Sequence, residues 1–202
     1  MKALQILLIL SVGYLIGSVL SALVIGKLTN GVDVRKYGSG NPGTTNVLRT
    51  LGVLPAISVF FLDVFKGIVA VIFAKIVMQD DIVLAQTLGA VAVICGHTWP
   101  LYFNFKGGKA AATSWGAALA IHPTIAIAVL LFAVLVVAIK RYMSLGVMSG
   151  AFFYLIIVLI FAREYWFLAL FILIVILIRH RENIKRLING TERKVGERIR
   201  FK

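Results

Sequence analysis

The chain has 202 residues, 60% of them hydrophobic and 14% charged, with 21 Lys and Arg against 8 Asp and Glu and a formal charge of +13. Ordinary soluble domains carry about a quarter charged residues and disordered chains are poor in apolar ones, so both classes are excluded and an integral membrane protein remains. A single Cys, Cys95, excludes an internal disulfide, and three His with eight carboxylates leave little from which to build a protein-ligated centre, so neither metal nor cofactor is expected.

A bilayer core of about 30 Å needs about 20 helical residues. The first apolar run, residues 3–28, is too long for a signal-peptide core and no small-residue cleavage site follows it, so it is expected to stay as a span. Within it Gly13, Gly17 and Ser21 repeat at four-residue spacing, a pattern that lets helix backbones approach closely. A polar segment, residues 38–49, is expected to lead into the second span, residues 53–78, which carries Asp63 and Lys66 three positions apart. The third span, residues 82–103, is followed by Lys106-Gly107-Gly108-Lys109. Residues 110–139 run thirty positions without a charge around His122-Pro123, and read as one long kinked span or two short helices. Residues 145–162, with Gly146 and Gly150, and residues 165–178, only fourteen long but flanked by Tyr165, Trp166 and Arg179 as interfacial anchors, complete the set.

Basic residues collect on the cytoplasmic side of membrane proteins, which allows each connection to be assigned. Lys106 with Lys109 and Lys140 with Arg141 make both ends of residues 110–139 basic, so that segment should begin and end on one side, turning at His122-Pro123. The result is an all-α integral membrane protein with seven transmembrane helices, N-terminus outside and C-terminus cytoplasmic. Of the 21 basic residues, Lys2, Lys75 and Arg163 then fall outside and Lys66 within a span, leaving 17 inside. A re-entrant pair in place of the two short crossings is the alternative. No linker or internal repeat divides the chain, so residues 1–202 are one domain.

The polar residues gather in residues 38–49, residues 104–109 and the tail from His180, all assigned to the same face. Glycine-rich loops can aim consecutive N–H groups into one anion-binding concavity, hydroxyls add donors, Lys and Arg add charge, and the helix start after Gly43 adds its dipole. A phosphate is the natural guest. Gly38-x-Gly40-x-x-Gly43 matches the dinucleotide fingerprint but joins membrane helices instead of a strand and a helix, and Thr44 stands where a Walker loop needs Lys. Asp63 and Lys66 read as a self-neutralising pair or as a functional charge pair, and His97 as a site residue or a helix-end hydrogen bonder. Cys95 reads as packing and His122 as a turn residue.

Read together, residues 38–52 (GSGNPGTTNVLRTLG), 62–67 (LDVFKG), 96–113 (GHTWPLYFNFKGGKAAAT), 142–146 (YMSLG) and 180–196 (HRENIKRLINGTERKVG) resemble the bacterial acyl-phosphate:glycerol-3-phosphate acyltransferases, the PlsY family. Pro42 and Thr44 stand where that family commonly has Ile and Ala, and Ala110 where it has Gly. The resemblance implies transfer of a fatty acyl group from acyl phosphate to the 1-hydroxyl of glycerol 3-phosphate, giving lysophosphatidic acid and inorganic phosphate. It also implies a seven-helix fold in the bacterial inner membrane with a cytoplasmic active site. Carried over by motif, Gly43, Thr44, Asn46, Lys106, Gly107, Gly108 and Lys109 would hold the acyl phosphate, and Ser39, Arg49, Lys109, His180 and Asn183 the glycerol 3-phosphate. Lys109, Arg49, Ser39, Asn183 and His97 would form the catalytic set.

The mixed anhydride arrives activated, so the hydroxyl proton can pass to the donor's own phosphate, with His97 as the rival base. Expected partners are the two substrates and membrane lipids, with no nucleic acid, for a monomer. An anion transporter shares the basic rim and Gly-broken helices, but no matching anion cluster or inverted repeat is evident. A lipid-binding scaffold would not require the polar Gly loops.

Overall fold

A computed structural model describes residues 1–197, whose regular elements are all helices with no strand among them. The elements are α1 (Lys2–Ser18), α2 (Ser21–Asn30), α3 (Thr44–Thr50), α4 (Val53–Val77), α5 (Ile82–Thr98), α6 (Ala111–Ile121), α7 (Pro123–Lys140), α8 (Met143–Phe161), α9 (Trp166–Arg179) and α10 (Arg181–Ile188). Among the described residues five stretches are long and apolar enough to cross a membrane: Lys2–Asn30, α4, Ile82–Phe103, α7 and α8. The 11-residue α6 and 14-residue α9 are shorter.

Two sequence expectations change. The first run is not one helix but breaks at Val19 and Leu20, both extended. A break at membrane depth must have its freed carbonyls satisfied. Here Lys66 Nζ, on α4, donates to Val19 O at 2.9 Å and lies 3.3 Å from Gly17 O. Ser21 therefore opens α2 instead of extending the small-residue stripe of α1, and its hydroxyl donates to Asp63 at 2.9 Å. Gly13 and Gly17 do pack on α5; a Cβ at Gly17 would lie 2.2 Å from Val93 O. Second, Thr44–Thr50 is a separate short helix, ended at Gly52 with φ +94°, so this polar segment does not run into the second span. The third span keeps its expected bounds, Ile82–Phe103, with α5 ending at Thr98 ahead of Pro100 and a 3₁₀ turn following.

Residues 110–139 do form two helices. Pro123 takes the first position of α7, where its missing N–H costs nothing. Trp115 Nε1 donates to Ala126 O at 2.8 Å, although eleven residues along a straight helix would span about 16 Å. The chain has therefore folded back. His122, at the corner, sets its ring edge-on to Tyr165 with centroids 5.1 Å apart.

The contacts separate two ends. At one, Lys2 pairs with Asp81 at 3.3 Å and Gln5 donates to Val77 O at 2.9 Å. At the other, α3, the loop after α5, the end of α7 and the tail come together. Beyond α10 the chain doubles back, with Thr191 N donating to Arg186 O and Val195 N to Arg141 O at 2.7 Å.

Candidate active site

Two polar loops and the tail enclose a cleft of about 660 Å³. Of the residues expected from the sequence, Ser39, Arg49, Lys106, Gly107 and Lys109 line it. The first loop is shaped by Asn46, which is buried with its amide used at both ends. Its Oδ1 accepts from Ser39 N at 2.8 Å, and its Nδ2 donates to Val34 O and Tyr37 O at 3.0 and 3.1 Å. Asn46 thus presents Ser39 to the cleft without lining it. Asp33 accepts from the backbone and guanidinium of Arg35, and that guanidinium sits 5.5 Å from the centre of the Phe103 ring.

The second loop corrects the expectation of a backbone nest. Gly107 N donates to Thr98 O at 3.2 Å and Gly108 N to His97 O at 3.0 Å, so both amides turn back onto the end of α5. Their carbonyls accept from Arg179, Nη2 to Gly107 O at 2.9 Å and Nε to Gly108 O at 3.1 Å. Held from both sides, the loop offers the cleft the side chains of Lys106 and Lys109. Glycine is required by the close approach: a Cβ at Gly107 would lie 2.1 Å from His97 O, and one at Gly108 2.1 Å from His97 Nε2.

Lys109 Nζ donates to Asn183 Oδ1, Asn183 Nδ2 donates to Glu192 Oε1 at 2.6 Å, and Ser144 Oγ donates to the same oxygen at 2.7 Å. Arg186 Nε donates to Glu192 Oε2 at 2.7 Å. Burial, and then the positive charge of Arg186, push the Lys109 ammonium down to about 8. Burial works to raise Glu192, but its hydrogen bonds from Arg186, Asn183 and Ser144 prevail and hold it below the usual carboxylate range. Burial also lowers Arg49, whose Nη2 donates to Arg193 O at 3.2 Å. His180 is buried behind the cleft, its Nδ1 2.8 Å from Ile176 O; burial, then the charge of Lys109, push it down to about 4, so it is neutral at pH 7.

His97, Gly43, Thr44, Asn46, Gly108, His180 and Asn183 are not brought to the cleft wall. A separate apolar groove of about 250 Å³ lies among α6, α7, α8 and α9, with Ala111, Trp115, Val137, Gly146 and Tyr154 on its walls. Lys109 lines the cleft and Ala111 the groove, with only Ala110 between them.

The family model described as glycerol-3-phosphate acyltransferase matches residues 7–190. The chain belongs to the glycerol-3-phosphate acyltransferase family. Family proteins of that name are 41% identical in Clostridioides difficile (98% of this chain, 99% of the relative) and 38% identical in Thermoanaerobacter sp. (95% and 96%). The crystal structure of PlsY, an integral membrane glycerol 3-phosphate acyltransferase, in its glycerol 3-phosphate form is similar with a TM-score of 0.88 at 37% identity, over 95% of this chain and 96% of that one. The lysophosphatidic acid form gives 0.87 at 36% over the same shares.

For a protein of this acyltransferase family, sequence reasoning gave no site role to four cleft cations, Arg35, Arg179, Arg186 and Arg193, or to the carboxylates Glu182 and Glu192. Arg179 carries the signature of an interfacial anchor, which hides its second use as a loop clamp. Glu192 leaves one signal: it is the only carboxylate between the basic residues 185–186 and 193–194.

Proposed function

We propose that this protein transfers the acyl group of an acyl phosphate to the 1-hydroxyl of glycerol 3-phosphate, releasing lysophosphatidic acid and inorganic phosphate. The observation that carries this reading is the junction at residues 109–111, where a cationic cleft gives way to an apolar groove within one residue. An acyl phosphate has that division, an anionic head and an apolar tail meeting at the reactive carbonyl. The tail would lie between α6, α7 and α8, the donor phosphate against Lys106 and Lys109, and glycerol 3-phosphate against Ser39 and Arg49. Asn46, Gly43, Thr44, Gly107 and Gly108 would shape the loops, and His180 and Asn183 would support Lys109 from behind.

The hydroxyl oxygen attacks the acyl carbonyl, the carbonyl–phosphate bond breaks, and the phosphate leaves with the electron pair. Its proton goes to a phosphate oxygen of the donor. Two carboxylates line the cleft: Glu192 is held by three donors, while Glu182 is exposed, with Oε1 3.7 Å from Arg181 and 3.6 Å from Lys185. Fixed cations then stabilise charge that grows on the leaving phosphate.

The same proposal places seven crossings in the bacterial inner membrane, as a monomer of one domain, with the N-terminus outside and the cleft in the cytoplasm. The Lys2–Asp81 contact and the His122–Tyr165 contact at the end away from the cleft support this alternation. The test is phosphate release by purified protein given acyl phosphate with and without glycerol 3-phosphate. Release that does not depend on the acceptor refutes the reading.

A further inference from the structure

Asp63 and Lys66 lie one turn apart on α4, 2% and 7% exposed and 2.8 Å apart. Mutual neutralisation alone would need no third partner. Yet the ammonium also lies 2.7 Å from His97 Nδ1 and donates to Val19 O in the break between α1 and α2. An ammonium has three donors and no lone pair, so a ring nitrogen facing it at that distance must be the acceptor. His97 is therefore neutral, with its proton on Nε2. That nitrogen lies directly beneath Gly108, close enough that a Cβ there would be 2.1 Å away, while His97 O accepts from Gly108 N. The next residue is Lys109. Arg179 clamps the loop carbonyls from the other side.

We propose that Asp63 and Lys66 are positioning residues: they lock His97 as the Nε2–H tautomer under Gly108, and the ring in turn sets the place of Lys109 in the cleft. The inference rests on the acyl-transfer reading and deepens it, because it removes His97 as a base. Its Nδ1 lone pair is taken by Lys66, and its Nε2 already holds a proton. Small displacements of a charge that orients a reacting group are costly, about 100-fold for 1 Å.

The experiment uses the full chain in detergent micelles. Wild-type protein labelled with ¹⁵N-histidine should show His97 as the Nε2–H tautomer across pH 6 to 8. An Nδ1–H tautomer or an imidazolium overturns the proposal. The paired change Asp63→Asn with Lys66→Met removes both buried charges together. It should raise KM for acyl phosphate at least tenfold with a smaller change in kcat, and leave a mixture of His97 tautomers. Unchanged constants overturn the proposal. His97→Gln removes the ring that seats Gly108 and should raise KM for acyl phosphate in the same direction as the paired change, while turnover at saturating acyl phosphate persists. In a Lys66→Met background it should add less loss than it does alone, because the two act as one unit. Loss of turnover by His97→Gln with acyl phosphate still bound would make His97 the base and overturn the proposal. Absence of acceptor-dependent turnover in the wild type instead refutes the acyl-transfer reading, and the tautomer measurement then decides the geometry by itself.

Discussion

Lys109 should impose an alkaline limit on the reaction. An ordinary Lys keeps its proton to about 10.5, but burial and the neighbouring Arg186 push Lys109 down to about 8. About nine-tenths of the molecules carry its charge at pH 7 and about one-tenth at pH 9. If the ammonium holds the donor phosphate, kcat/KM for acyl phosphate should fall about tenfold over that interval, equivalent to about 1.4 kcal/mol. Both substrate phosphates are already dianions there, their second ionisation lying near pH 6, so they add no slope. The assay is phosphate release from pH 6.5 to 9.5 at constant ionic strength, with enzyme-free hydrolysis subtracted. Lys109→Arg provides the control, because a guanidinium does not lose its proton in this range. A wild-type profile flat from pH 7 to 9, or the same fall in Lys109→Arg, would refute the reasoning.

Replacing Glu192 with Ala leaves Arg186, Asn183 and Ser144 without their common acceptor. Losing these part-buried charged hydrogen bonds costs on the order of 2 kcal/mol, which thermal melting in detergent will read as a lower Tm, and Glu192→Gln should lose less. Gly108→Ala drives a methyl into the His97 ring, so activity should drop by about 100-fold, a little under 3 kcal/mol; wild-type rates would show that the ring moves freely. His180 supplies a stability slope. The unfolded chain takes up its proton as pH falls through 6.5 and the folded chain not until about 4, so the unfolded state binds more protons between these values and stability falls on acidification. Between pH 7 and pH 5 the loss should be about 2 kcal/mol. His180→Asn, which keeps a donor for Ile176 O, should flatten that part of the melting profile.

Apolar length made the long helices legible, and charge alternation identified the turn at His122-Pro123. The break at Val19 was not legible, because neither Gly nor Pro marks it; a Lys more than forty residues away satisfies its carbonyls. The site was half legible for a similar reason. Lys106, Lys109, Arg49 and Ser39 sit beside glycines in loops, where a phosphate site is expected. Gly107 and Gly108 pointed to a nest, yet what they supply is room for His97 and α5 to hold the loop from below. The return of the tail hangs on Glu192, and one carboxylate in a basic run gives no periodic signal.

Ala110 carries a left-handed backbone, φ +56°, between the cleft and the groove. That corner puts the cationic cleft and the apolar groove one residue apart. A two-part molecule made there would have no barrier of the wrong polarity to cross on leaving. On the proposed reaction its charged end would lie in the cleft and its chain in the groove between helices, so leaving along the groove would carry no charge through apolar surroundings. A product formed at this corner would already have its head and its chain sorted into surroundings of matching polarity.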